Sequence, residues 1–312
     1  MTVVAFIAFS LFQYVGDPVL AMVGQDATPA ERQQLRTDLG LDQPFHAQFA
    51  RFAANALRGE FGLSYRQSRK VSTLLRERLP ATLELSFAAA VLALAVGIPM
   101  GVYTALRRRG LLSGLFLTVS LLGVSLPTFL IGILLIMLFA VQLGWLPSYG
   151  RGETVAIGWW TSGFLTLDGL RHLVLPAITL CLFQTTLIMR LVSAEMLEVL
   201  RTDYIRFARA RGLTDRTVHF GHALKNTLVP VITIAGLQLG AIIAFAIITE
   251  TVFQWPGMGL LFIQAVQGAD IPVMAAYLCL IALLFVLINL AVDLLYFAVD
   301  PRLRLERSAA AH

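Results

Sequence analysis

The chain has 312 residues, 57% of them hydrophobic before its 24 glycines are counted and only 14% charged, where soluble domains run at roughly 45–50% apolar and about 25% charged. That balance excludes a soluble globular domain, a disordered chain, a collagen and a disulfide scaffold, and it assigns the apolar excess to lipid, where about 20 apolar residues span the bilayer as one helix. The formal charge of +5 requires no nucleic-acid partner, because membrane proteins gather Arg and Lys on their cytoplasmic side.

In chain order, Thr2 to Val15 is apolar and Gly16-Asp17-Pro18 breaks it. About 14 residues reach only about 21 Å, short of a hydrocarbon core near 30 Å. A signal peptide would show a basic start and an A-x-A site, and neither is present. Residues 1–16 are therefore read as a first transmembrane helix lacking its opening turns. Residues 17–80 read as a small helical external subdomain. Thr28-Pro29-Ala30-Glu31 is a capping box with Pro at the first helical position, and Gly40 ends that helix. Phe45, Phe49, Phe52, Ala53, Ala56 and Leu57 then form one apolar stripe closed by Gly59. A third short helix from about Ser68 to Leu79 stops before Pro80.

Five long apolar segments follow at roughly 81–106, 112–142, 172–200, 227–250 and 273–298. Pro99 and Pro127 kink their helices, and the surplus length of 112–142 is absorbed by tilt or by the kink at Pro127. Cys181 and Cys279 both lie in apolar runs and read as small hydrophobes. Arg107–Arg109, the basic residues from Arg201 to Lys225, and Arg302, Arg304 and Arg307 fall on one side, whereas the opposite short loops hold only Arg151 and Arg171. The expected fold is an all-α integral membrane protein with six transmembrane helices and both termini cytoplasmic. Residues 81–298 form the core and 299–312 a cytoplasmic tail.

Between the fourth and fifth spans, Asp203 caps a short helix that Gly212 ends in a left-handed cap. Tyr204, Phe207, Ala208 and Arg211 recur along it at i, i+3, i+4 and i+7. Thr214-Asp215 opens a further helix to about Asn226. A short amphipathic helix stopped by glycine suits docking in another protein's groove. A solvated basic loop, or an interfacial helix on anionic lipid, uses the same residues.

Several blocks carry a family resemblance: Gly16-Asp17-Pro18, Leu39 to Pro44, Gly59-Glu60-Phe61-Gly62, Glu77 to Glu84, Met196 to Leu213, His222 to Asn226, Thr249 to Gly257, Asn289 to Tyr296, and Asp300-Pro301-Arg302. Together they closely resemble the permeases of dipeptide/oligopeptide ABC importers, over nearly the whole chain. The resemblance implies a multi-pass permease of the cell (inner) membrane that moves peptides inward by alternating access. It implies as partners a second homologous permease, two cytoplasmic ABC ATPases and an external peptide-binding protein. It makes Asp203, Tyr204, Arg206, Phe207, Ala208, Arg209, Arg211 and Gly212 the ATPase-coupling helix. In the family's E-A-A-x-x-x-G pattern the leading positions fall on Arg206, Phe207 and Ala208, and Phe207 departs from the small residue expected.

No G-x-x-x-x-G-K-[ST] loop accompanies either lysine, Lys70 or Lys225, so ATP and magnesium belong to partner ATPases and no cofactor is expected in this chain. No nucleophile–base constellation marks an enzyme, and the five histidines make no metal-spaced pair within a span. Ionisable and amide side chains inside spans default to functional roles. Arg190, Gln238, Glu250, Asn289 and Asp293 are accordingly the gate and translocation candidates, with Glu84 and Glu250 leaning towards architecture and Gln238 and Asn289 towards helix packing. The same architecture serves glutathione or a nickel chelate. From another class, a standalone secondary transporter or channel would need coupling charges and internal repeats, which the sequence lacks.

Overall fold

The computed structural model describes residues 28–39 and 42–299 together with Phe6, Phe9, Ser10 and Val19. Two helices open the described chain: α1, Pro29–Leu39, and α2, Phe45–Leu57. The Thr28 and Glu31 capping box forms as expected. The Thr28 backbone N–H donates to Glu31 Oε2 at 2.9 Å, and the Glu31 N–H donates back to Thr28 Oγ1 at 3.3 Å. These bonds hold the exposed Glu31 carboxyl below its ordinary range. The expected stop at Gly40 lies outside the described residues. On α2 the aromatic stripe takes ring contacts from Phe6 and Phe9, with Phe9 stacked on Phe52 at 5.4 Å. Leu57 falls off the stripe and is exposed.

The membrane core is built from α3, Val71–Leu106; α4, Leu111–Ser125; α5, Thr128–Leu135, which continues as a π-helical stretch Ile136–Gln142; α6, Leu167–Val199; α8, Leu224–Val252; and α10, Ile271–Val299. Between α6 and α8 lie α7, Asp203–Ala210, and a π-helical stretch, Thr217–Ala223; α9, Met258–Gln267, precedes α10. Among the described residues, four helices are long and apolar enough to cross a membrane, or five if α4 and the α5 segment count as one broken span. The first expected span, 1–16, lies outside the described residues apart from Phe6, Phe9 and Ser10, as does the tail beyond residue 299.

Four expectations are corrected. Pro80 does not stop a helix, because α3 runs unbroken for 36 residues with Pro80 and Pro99 inside it. Leu74, Leu75, Ala81 and Leu85 are buried on both sides of Pro80, so packing outweighs the lost backbone hydrogen bond. The boundary drawn at 80/81 is thus the interior of one helix. At Pro127 the 112–142 segment breaks instead of kinking: α4 ends at Ser125, and Pro127 caps the start of α5 with extended backbone. The helix opened near Thr214 does not end at Asn226. It passes through the π stretch into α8 and past Pro230 to Val252. The fold is not purely α either, since Val155–Ile157 (β1) and Trp160–Ser162 (β2) pair antiparallel around Gly158, whose φ is +64°.

α3 and α6 cross at a glycine pair four residues apart. A Cβ on Gly101 would sit 2.6 Å from Val192 Cβ and 2.7 Å from the Met189 carbonyl oxygen, and one on Gly97 would sit 2.9 Å from Ile188 Cγ2. Contacts advance together along both chains, so the two helices run parallel, as small-xxx-small packing in lipid allows. α8 and α10 run antiparallel, with Gly236 against Val292 and Gly240 against Phe285.

The hairpin end of the bundle is fastened by buried polar groups. Glu84 on α3 accepts hydrogen bonds from Arg151 Nη2 at 2.6 Å, Trp160 Nε1 at 3.2 Å and the Gly163 N–H at 3.1 Å, seating the hairpin on the helix. Asp270 accepts from Ser64 Oγ and from the Tyr65 N–H at 3.1 Å, tying the loop before α3 to the start of α10. Burial first, and then the Asp270 carboxylate, push the Tyr65 phenol up to about 12.

Candidate functional site

The segment between α6 and α8 is a short rod with two unlike faces. Ile205 is fully buried and Ala208 nearly so, in one cluster with Ala105 of α3, Met196 of α6, and Val218 and Ala223 of the π stretch. Tyr204 and Phe207 instead face outward at 43% and 64% exposure. The sequence placed Ala208 with Tyr204, Phe207 and Arg211; the structure moves Ala208 to the anchoring face beside Ile205, one i, i+3 step away. Arg211 lies over the Phe207 ring at 5.9 Å. Asp203 is not the cap but the first helical residue, paired at 3.0 Å with Arg206. Gly212 ends the segment with φ +79°, and its N–H bonds to the Arg209 carbonyl at 2.9 Å.

The rod is fastened at two places. Three residues join it to α6, and Asn226 Nδ2 donates to the Tyr204 hydroxyl at 2.7 Å, linking it to α8. Ile205 and Asn226 were missed from sequence. Ile205 was legible as the apolar partner of Ala208; the Asn226 contact spans 22 residues and left no local signal.

A cavity of about 340 Å³ lies within the bundle, walled by α3, α6, α8 and α10, with Gln184 and Gln238 as its amide-bearing residues. Of the translocation candidates, the structure brings only Gln238 to this wall. Asn289 follows the wall residue Ile288 and is half-buried, with its Oδ1 accepting no hydrogen bond among the described residues. Arg190 and Asp293 are both exposed, and no ion pair joins them among the described residues. Glu250 stands elsewhere, fully buried near the hairpin end. It accepts from Thr82 Oγ1 at 2.6 Å and from the Leu260 N–H at 3.0 Å. A Cβ on Gly257 would come within 2.3 Å of the Glu250 carboxyl. Glu250 is thus wedged between α3 and the turn into α9, the architectural role its position near a span end suggested.

Residues 97–305 match the model of the binding-protein-dependent transport system inner membrane component, and residues 1–86 match that of the membrane component's N-terminal region. The chain belongs to this family of transport-system membrane components. It is a multi-pass membrane permease. The di/tripeptide transport system permease DppB of Pseudomonas aeruginosa is 41% identical over 97% of this chain and 95% of its own length. The probable D,D-dipeptide transport system permease DdpB of Escherichia coli is 39% identical over 92% of this chain and 88% of its own. In fold, the permease resembles a chain of the inward-facing MetNI methionine ABC transporter, with a TM-score of 0.59 at 22% identity over 73% of this chain and 96% of that one.

Proposed function

We propose that this permease is the membrane subunit of an ATP-driven importer of dipeptides and short oligopeptides in the cell inner membrane. In this reading it pairs with a second homologous permease, receives cargo from an external peptide-binding protein, and is driven by two cytoplasmic ABC ATPases that hold the ATP and magnesium. Six helices would span the membrane with both termini cytoplasmic, residues 17–80 lying outside. The observation that carries the coupling is the two-faced rod α7. Ile205 and Ala208 hold it to the bundle, while Tyr204, Phe207, Arg206, Arg209 and Arg211 are left for a partner's groove. Tyr204's bond to Asn226 would pass any displacement of the rod directly to α8. Peptide cargo is favoured over glutathione or a nickel chelate by the relatives, whose names specify di- and tripeptides.

The experiment is reconstitution of the complete importer in liposomes, with ATP hydrolysis and dipeptide uptake measured together. Phe207→Ala removes an exposed ring and should leave folding intact while lowering the peptides moved per ATP. A purified permease that moves dipeptide unaided, or a Phe207→Ala complex with unchanged stoichiometry, contradicts the coupling role.

A further inference from the structure

The apolar cavity between α3, α6, α8 and α10 does not end at its own wall. A second cavity of about 430 Å³ lies beneath the hairpin, under Trp160 and Phe164, and Leu239 of α8 and Ile288 of α10 line both. The two adjoin at these residues, and a track joining them would run from the hairpin into the bundle. Its inner part has no charged lining residue among those described. In the part under the hairpin the lining carboxylate is Glu84, already engaged by Arg151, Trp160 and Gly163.

Two side chains on this track are buried, polar and unbonded. Ser86, 3% exposed, is among the residues lining the cavity beneath the hairpin, and its buried Oγ has no hydrogen-bond partner among the described residues. Gln184, 4% exposed, lines the inner cavity, and its Oε1 likewise accepts nothing. A hydroxyl in a membrane helix ordinarily bonds to the carbonyl one turn back. Thr104, Thr179 and Thr185 all do so here, and Ser86 does not. Leaving such atoms unbonded in an apolar wall costs free energy that an apolar residue of the same shape would not. The pair therefore points to a bonding partner from outside the chain.

Spacing describes that partner. With Gly97 against Ile188 and Gly101 against Val192, Gln184 stands level with about Ala93, seven residues or about 10 Å along α3 from Ser86. An extended tripeptide spans about 10 Å, and a shorter peptide would meet the two groups in turn. Hydroxyl and amide each combine donor and acceptor, as a peptide main chain does, and the neutral apolar walls set no charge requirement on side chains.

We propose that Ser86 and Gln184 are cargo-contacting groups of the translocation track, hydrogen-bonding the main-chain amides of a passing peptide. This rests on the peptide-importer reading and deepens it, assigning sequence-tolerant recognition to two side chains that sit on α3 and α6.

The test uses the complete importer in liposomes with saturating binding protein. The probes are labelled dialanine and its ester isostere, in which oxygen replaces the amide N–H. Ser86→Ala and Gln184→Leu remove atoms that bond nothing within the chain, so folding should persist; Gln184→Met supplies a second apolar replacement. Dialanine turnover should fall about tenfold in each variant, as expected for one hydrogen bond made in an apolar wall. The wild-type preference for amide over ester should collapse in the Gln184 variants, with binding-protein affinity unchanged. Folded Gln184 variants that keep wild-type turnover and the wild-type amide-to-ester ratio overturn the inference alone. A wild-type complex that hydrolyses ATP yet moves no dipeptide overturns the peptide reading and the inference with it.

Discussion

The crossing of α3 and α6 allows a graded test of how tightly the bundle is built. A methyl group added at Gly101 would meet the Met189 carbonyl oxygen at 2.7 Å and Val192 Cβ at 2.6 Å. Unstrained carbon contacts lie near 3.5–4.0 Å, so about 1 Å of separation must be found. One obstacle is backbone and the other is the root of a β-branched side chain, so rotamer changes cannot supply it. Overpacking of this kind costs about 1–3 kcal/mol, against which alanine returns at most about 1 kcal/mol of helix propensity. Gly101→Ala should therefore lose about 1–2 kcal/mol. At Gly97 the nearest atom, 2.9 Å away, is a methyl at the end of Ile188, which can turn, although the Thr185 carbonyl oxygen at 3.1 Å limits the relief. Gly97→Ala should fall between zero and Gly101→Ala. Gly114 on α4 meets nothing within 4 Å, so Gly114→Ala should be neutral or gain up to about 1 kcal/mol. Unfolding of the purified permease in a graded denaturing detergent measures all three. Equal stability of Gly101→Ala and Gly114→Ala would refute the close crossing.

Three further outcomes follow from the hairpin end. Arg151→Met leaves Glu84 buried without its charged partner and should cost about 3–5 kcal/mol, while adding Glu84→Leu should recover most of it, as a double-mutant unfolding cycle would read. Glu250→Ala strips the acceptor from the Leu260 N–H and from Thr82, so about 1–3 kcal/mol should be lost, with Glu250→Gln milder in the same unfolding assay. The Tyr65 phenol, raised from 10.0 to about 12, contributes stability that is complete below pH 10 and disappears as pH climbs through 12. Tyr65→Phe should flatten that alkaline loss, and tyrosinate absorbance should rise late in the wild type.

Much of this architecture is legible in one dimension. Long apolar runs locate α3, α6, α8 and α10 because lipid demands about 20 apolar residues per helix whatever their partners. The capping box at Thr28 and the left-handed stop at Gly212 are local, and local chemistry reads directly. Pro80 reads as a stop because the rule that proline ends a helix ignores burial on both flanks. The hairpin escaped because three-residue strands carry too little periodicity. Gly97 and Gly101 form a small-xxx-small pair that the sequence alone displays. Ser86 and Gln184 were not readable at all: whether a hydroxyl or amide finds a partner depends on four helices at once. Arg190 and Asp293 drew notice for their charge, yet the structure leaves both exposed and unpaired with each other.

The glycine crossing also bears on how the interior track can change its bore. Where two rods touch backbone to backbone there is no slack to take up, so α3 and α6 travel as one plank. Ser86 and Gln184 ride on that plank at a fixed offset. Any change of bore that preserves this crossing would fall to the opposite wall, where Gly236 and Gly240 of α8 meet the side chains of Val292 and Phe285 rather than backbone.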